Sequence, residues 1–176
     1  MYYGELKKCD IANGEGVRVS LFVSGCRNRC KDCFQPETWD FSFGKPFTAE
    51  TEQEIYAELD KSYVGGLSLL GGDPFEPENQ QALLPMLRHI REKYPQKTIW
   101  CYTGYRLEEL QSHGAHPNCE ATEEMLRYID ILIDGRFIPE EKDISLQFRG
   151  SRNQRVIDMN RTRQSGEIVI WDKLRK

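Results

Sequence analysis

Three cysteines, Cys26, Cys30 and Cys33, fall within eight consecutive positions as C-x3-C-x2-C. Three thiolates on one short loop can hold three corners of a cubane iron–sulfur cluster, whereas ferredoxin-type clusters take four. The fourth iron is then left open to a further ligand, the condition that an open metal site meets in catalysis. Arg27, Arg29 and Lys31 lie between the cysteines. Nearby cations favour the thiolate form and the reduced state of an anionic cluster. Such charged neighbours argue against cysteines packed as small hydrophobes at 26, 30 and 33. That packed role suits Cys101, inside the run TIWCY, and fits Cys9 tolerably. A structural zinc site is the rival, with a fourth ligand drawn from Cys9, Cys101, Cys119 or a histidine. His113, His116 and Cys119 form a second, looser metal-like spacing.

Gly71-Gly72-Asp73-Pro74 is the next set able to do chemistry. Glycines let a ligand approach the backbone closely, and an acid can accept hydrogen bonds from an ammonium. By itself the motif is a common turn. Placed after a strand and downstream of the cysteine loop, it reads as a binding loop.

Elements that must position these residues are legible as alternating strands and helices. Val17–Val23 is rich in β-branched and aromatic residues and reads as a strand. Leu67–Leu70, Thr98–Tyr102 and Asp130–Asp134 follow the same pattern, with weaker strands at Val156–Met159 and Glu167–Trp171. Helices are expected over Thr48–Lys61, capped by Thr48, and over Pro77–Tyr94, where Pro85 should kink the helix or mark a late start. Shorter helices are expected over Tyr105–Ser112 and Thr122–Ile129, with the loop His113–Cys119 between them. Alternation of this kind predicts an α/β fold around a mainly parallel sheet. Trp39 and Trp100 read as core, and His89 as the surface of a helix.

The chain has 176 residues, 39% hydrophobic and 30% charged, which fits a single domain over residues 1–176. No run of 18 apolar residues exists, so no membrane span is expected. The start MYYGELKKCD lacks the apolar stretch of a secretory signal, so a cytoplasmic location is expected. A net charge of −4 provides no general basic field for nucleic acid. The charge is uneven, with residues 147–176 at +5 and the remainder at −9. That basic tail is either a solvated surface or a dock for an anionic cofactor or an acidic partner.

The cysteine loop after an early strand, followed by Gly71-Gly72-Asp73-Pro74, resembles the radical S-adenosylmethionine (SAM) superfamily. Further segments narrow the resemblance. Asn13–Arg18, Phe22–Cys26, Phe34–Trp39, Tyr102–Tyr105, Asp134–Phe137 and Arg149–Arg155 together look like activating proteins of anaerobic (class III) ribonucleoside-triphosphate reductases. The resemblance runs over nearly the whole chain. Many superfamily members place an aromatic just before the third cysteine, whereas here Asp32 stands there and Phe34 follows it.

This resemblance implies a partial, open (β/α) barrel, with the site at the C-terminal ends of its strands. Cys26, Cys30 and Cys33 would ligate a 4Fe–4S cluster whose fourth iron is chelated by SAM. Gly71, Gly72 and Asp73 would hold the amino end of SAM. Asp32, Cys33 and Phe34, largely through backbone atoms, and Tyr102 and Thr103 would meet the rest. One electron into the sulfonium would give methionine and a 5′-deoxyadenosyl radical, which would leave a glycyl radical on the reductase. Arg149–Arg155 would lie near SAM, at the reductase interface or on a solvated edge. The family electron donor is a flavodoxin or ferredoxin. Neighbouring alternatives are a pyruvate formate-lyase type activator and a deazaguanine-forming enzyme; a zinc-binding module is the alternative of another class.

Overall fold

A computed structural model describes residues 1–174. Arg175 and Lys176 of the basic tail lie outside the described residues. The described chain forms a seven-stranded sheet. Its strands are β1 (Tyr2–Asp10), β2 (Val17–Val23), β3 (Lys45–Pro46), β4 (Val64–Gly71), β5 (Thr98–Tyr102), β6 (Ile131–Asp134) and β7 (Arg155–Asp158). The spatial order is β3-β1-β2-β4-β5-β6-β7. The central strands β2, β4, β5 and β6 run parallel, while β1, β3 and β7 add antiparallel flanks. The sheet does not close, since β3 and β7 are its two edges. The expected α/β architecture is therefore present as a mixed sheet with a parallel centre.

Helices α1 (Ala49–Leu59), α2 (Pro77–Lys93), α3 (Leu107–Leu110) and α4 (Thr122–Tyr128) occupy the crossovers, and α5 (Met159–Ser165) follows β7. Successive residues of a strand face opposite sides, and the core divides accordingly. Val19, Leu21, Leu67, Leu69, Ile99 and Leu132 pack against Ile55, Leu83, Leu87 and Met125 of the helices. On the other face Trp100, Ile131, Ile133 and Val156 pack with Trp171 from the C-terminal segment. Trp100 and Trp171 meet edge to face at 5.1 Å.

Several expectations shift. Helix α2 starts at Pro77 and continues through Pro85, so Pro85 does not delay its start. Thr48 does cap α1, accepting from the Thr51 N–H. Residues 167–171 form no named strand but a single bridge, Ile157 to Ile170. Cys9 is exposed on β1 rather than packed, because the burial pattern of that strand leaves its side chain on the solvent face. Cys101 is buried in the core as expected.

Candidate functional site

The ends of β2, β4, β5 and β6 share one cavity of about 670 Å3. Cys26, Cys30 and Cys33 all line it, and none is in a disulfide. Gly71, Gly72 and Asp73 line it from β4, and Tyr102 and Thr103 from β5. Asp32 and Phe34 line it too. Every residue singled out for the site is thus drawn to one place by four strand ends, as parallel sheets arrange their crevices.

The cysteine loop is held from outside. Gly25 N–H donates to Thr38 O at 2.8 Å and Cys26 N–H to Trp39 O at 3.3 Å, so the short 3-10 turn Pro36–Trp39 pins its start. Cys33 N–H closes back on Cys30 O at 3.2 Å. Arg29 and Asp32 adopt left-handed backbone, φ 46° and 56°, which bends the loop around its three sulfurs. Trp39, read as core from the sequence, is half-buried and lines the cavity. Its place is set by the turn that receives the loop rather than by the sheet. Trp100 is core, at 2% exposed.

Burial, with the Asp73 charge second, pushes the Cys26 thiol up to about 12, and burial raises Cys30 also. Backbone N–H groups of Asn28 and Arg29 hold the Cys26 thiol down, and that of Phe137 the Cys30 thiol, but these effects are outweighed. A coordinating iron would keep these thiols deprotonated despite that burial. Among the described residues no group of three or more His, Cys, Asp or Glu side chains is gathered for one metal ion. Three free cysteines on one cavity fit a 4Fe–4S cluster.

The Gly71–Glu76 turn fastens this loop to the sheet. Gly72 N–H donates to Val23 O at 2.7 Å and Asp73 N–H to Gly25 O at 2.8 Å. A Cβ on Gly72 would sit 2.6 Å from Gly25 O and 2.9 Å from Thr38 O, so only glycine allows that approach. Asp73 is fully buried. Its carboxylate accepts from Phe75 N (2.9 Å), Gly104 N (2.9 Å), Asn28 Nδ2 (2.8 Å) and Thr103 Oγ1 (2.8 Å). Four donors occupy the acceptor sites of a carboxylate, which leaves none for the ammonium that the sequence reading assigned to it. Burial pushes Asp73 up to about 7 despite those bonds. Glu76, also fully buried, accepts from Arg27 N at 2.7 Å, Arg27 Nη1 at 2.6 Å and Tyr105 Oη at 2.8 Å.

Phe34 stands 95% exposed at the rim, and Ile144, from the loop after β6, stands 94% exposed beside the same cavity. The Tyr102 hydroxyl is enclosed and has no hydrogen-bond partner among the described residues. Of Arg149–Arg155, Arg149, Gly150 and Gln154 line the cavity, while Arg155 pairs with Asp134 and Glu108 away from it. His116 reaches Tyr105 Oη at 2.8 Å, and His113 is exposed in the loop. Asn28 and Glu76 escape a reading of the sequence, and Tyr105 and Phe137 enter it only inside longer segments, with no role of their own. Only their distant partners make them part of the site, and no local spacing signals that.

A family model described as a 4Fe-4S single cluster domain matches residues 12–157. A Haemophilus influenzae protein named anaerobic ribonucleoside-triphosphate reductase-activating protein is 44% identical over 156 residues, covering 88% of this chain and 96% of the relative. The Vibrio cholerae protein of that name is 42% identical over the same shares. That of Enterobacteria phage T4 is 38% identical over 158 residues, 89% of this chain and 93% of its own. With the cysteine cavity and matches of this extent, the chain belongs to the family of anaerobic ribonucleoside-triphosphate reductase-activating proteins.

Proposed function

We propose that this chain activates an anaerobic ribonucleoside-triphosphate reductase by reductive cleavage of SAM at a 4Fe–4S cluster. The observation that carries the reading is the meeting of Cys26, Cys30 and Cys33 with Gly71 and Gly72 on one cavity. When bound, the cluster would supply the one electron that breaks the sulfonium–C5′ bond of SAM, releasing methionine; the 5′-deoxyadenosyl radical so formed would take a hydrogen atom from a reductase glycine, becoming 5′-deoxyadenosine and leaving a glycyl radical there.

The protein's part is placement and dryness. Cys26, Cys30 and Cys33 would hold the cluster. Gly71 and Gly72 bring backbone to the amino end of SAM, and Asp73 shapes that wall. Asp32, Cys33, Phe34, Tyr102 and Thr103 border the nucleoside. Phe22, Leu70 and Ile133 give the cavity an apolar floor that excludes water. The open sheet acts as a partial (β/α) barrel of the radical SAM type within a single domain. Its uncovered side, flanked by Phe34 and Ile144, admits the reductase glycine loop. A cytoplasmic flavodoxin or ferredoxin delivers the electron. No helix among the described residues is long and apolar enough to cross a membrane.

The test is anaerobic. The protein is reconstituted with iron and sulfide, reduced and given SAM, and 5′-deoxyadenosine is quantified by mass spectrometry. Product from wild type and none from Cys30→Ala is the expected result. One zinc per chain, with no cluster formed on reconstitution, would overturn the reading.

A further inference from the structure

Asn28 sits between Cys26 and Cys30 and has no role in the reading above. Its amide donates to Asp73 Oδ2 at 2.8 Å, and Asp73 is 0% exposed. The same carboxylate takes the Thr103 hydroxyl and the Gly104 N–H. One buried acid therefore ties together the cysteine loop, the turn after β4 and the turn after β5. Asn28 also lies directly on Gly104, where a Cβ would fall 2.6 Å from Asn28 Nδ2 and 2.8 Å from its Cγ. Gly104 is not among the residues of positive φ, so its backbone would accept alanine and the neighbour alone forbids it.

We propose that Asn28 is a positioning residue, clamped between the Asp73 carboxylate and Gly104, which fixes the cluster loop against the wall of the SAM site. This inference rests on the SAM-cleaving reading and deepens it. It reassigns Asp73 from a direct contact of SAM to an anchor of the loop. It also gives Gly104 a reason that involves no ligand. Groups that orient metal ligands change affinity or activity about 10- to 100-fold when removed.

The experiment is a double-mutant cycle of Asn28→Ala and Gly104→Ala on the reconstituted protein, with wild type alongside. Three quantities are read: iron and sulfide per chain, 5′-deoxyadenosine formation, and the change in the reduced cluster's EPR spectrum when SAM is added. Each single variant is expected to cleave SAM about 10- to 100-fold more slowly and to show a diminished EPR change at wild-type iron content. The double variant is expected to be no worse than either single, because the methyl group added by Gly104→Ala has nothing to collide with once the Asn28 amide is gone. Losses that multiply in the double variant would overturn the clamp and give Gly104 an independent contact with SAM. An Asn28→Ala protein with wild-type rate and spectrum would overturn it also, as would a loss that only tracks lost iron. A wild-type protein that forms a cluster and cleaves no SAM even with the reductase present would instead overturn the underlying reading.

Discussion

At Gly72 the demand is for space. Its missing side chain lets the end of β4 touch the backbone of residues 25 and 38, with a Cβ excluded by contacts of 2.6 and 2.9 Å. Gly72→Ala must push the cysteine loop away from the sheet. Iron per chain after reconstitution is expected to fall well below that of wild type, and thermal melting should show a loss of about 1–3 kcal/mol. The three cysteines are legible in the sequence because spacing and residue type are local signals. The Asn28–Asp73–Thr103 cluster is not, since its members come from three loops and their chemistry appears only when the chain is folded. Trp39 reads wrongly as core for the same reason. An aromatic residue in a short segment carries no mark that tells a cavity wall from a core.

Elements tell a similar story. Strands β2 and β5 are legible at their observed limits, since buried central strands leave dense apolar runs. Strand β1 is not. Its sequence YYGELKKCD buries only Tyr3 and Asp10 fully, and its outward face is polar. Helix α5 escapes notice because Met159 is its only buried residue, too little for a stripe. Within the sheet, Gly66 of β4 lies against Thr98 of β5, where a Cβ would fall 1.9 Å from Thr98 O. Gly66→Ala is expected to cost about 3 kcal/mol or more, read by urea denaturation. The loss should extend to SAM cleavage, since the β4 and β5 ends carry the two turns that meet Asp73.

For the molecule as a whole, the basic C-terminal stretch reads in the sequence as a free surface or a dock, and much of it is engaged internally. Arg155 holds Glu108 and Asp134, Arg161 pairs with Asp172, Lys173 pairs with Glu15, and Arg163 donates to the carbonyls of Leu126 and Ile129. These bonds fasten residues 155–173 to the sheet and helices, a closure that composition alone could not reveal. One of them has a pH signature. The hydrogen bond from Arg155 pushes Glu108 down to about 2 from its usual 4.5. A carboxylate depressed by folding stabilises the protein above its unfolded value and loses that contribution as the pH falls towards its folded value. Denaturation midpoints should therefore fall between pH 4.5 and 2, and Glu108→Gln should flatten that limb. An unchanged limb in the variant would deny the pair a role. The C-terminal closure also divides the three tryptophans of the chain into two optical reporters. Trp100 and Trp171, in contact at 5.1 Å on the covered face, form a coupled pair whose near-ultraviolet circular dichroism follows the docking of the C-terminal segment. Trp39, at the wall of the cysteine cavity, is no member of that pair, and its emission is expected to change when the site is filled. A single label-free sample thus separates assembly of the fold from loading of the centre.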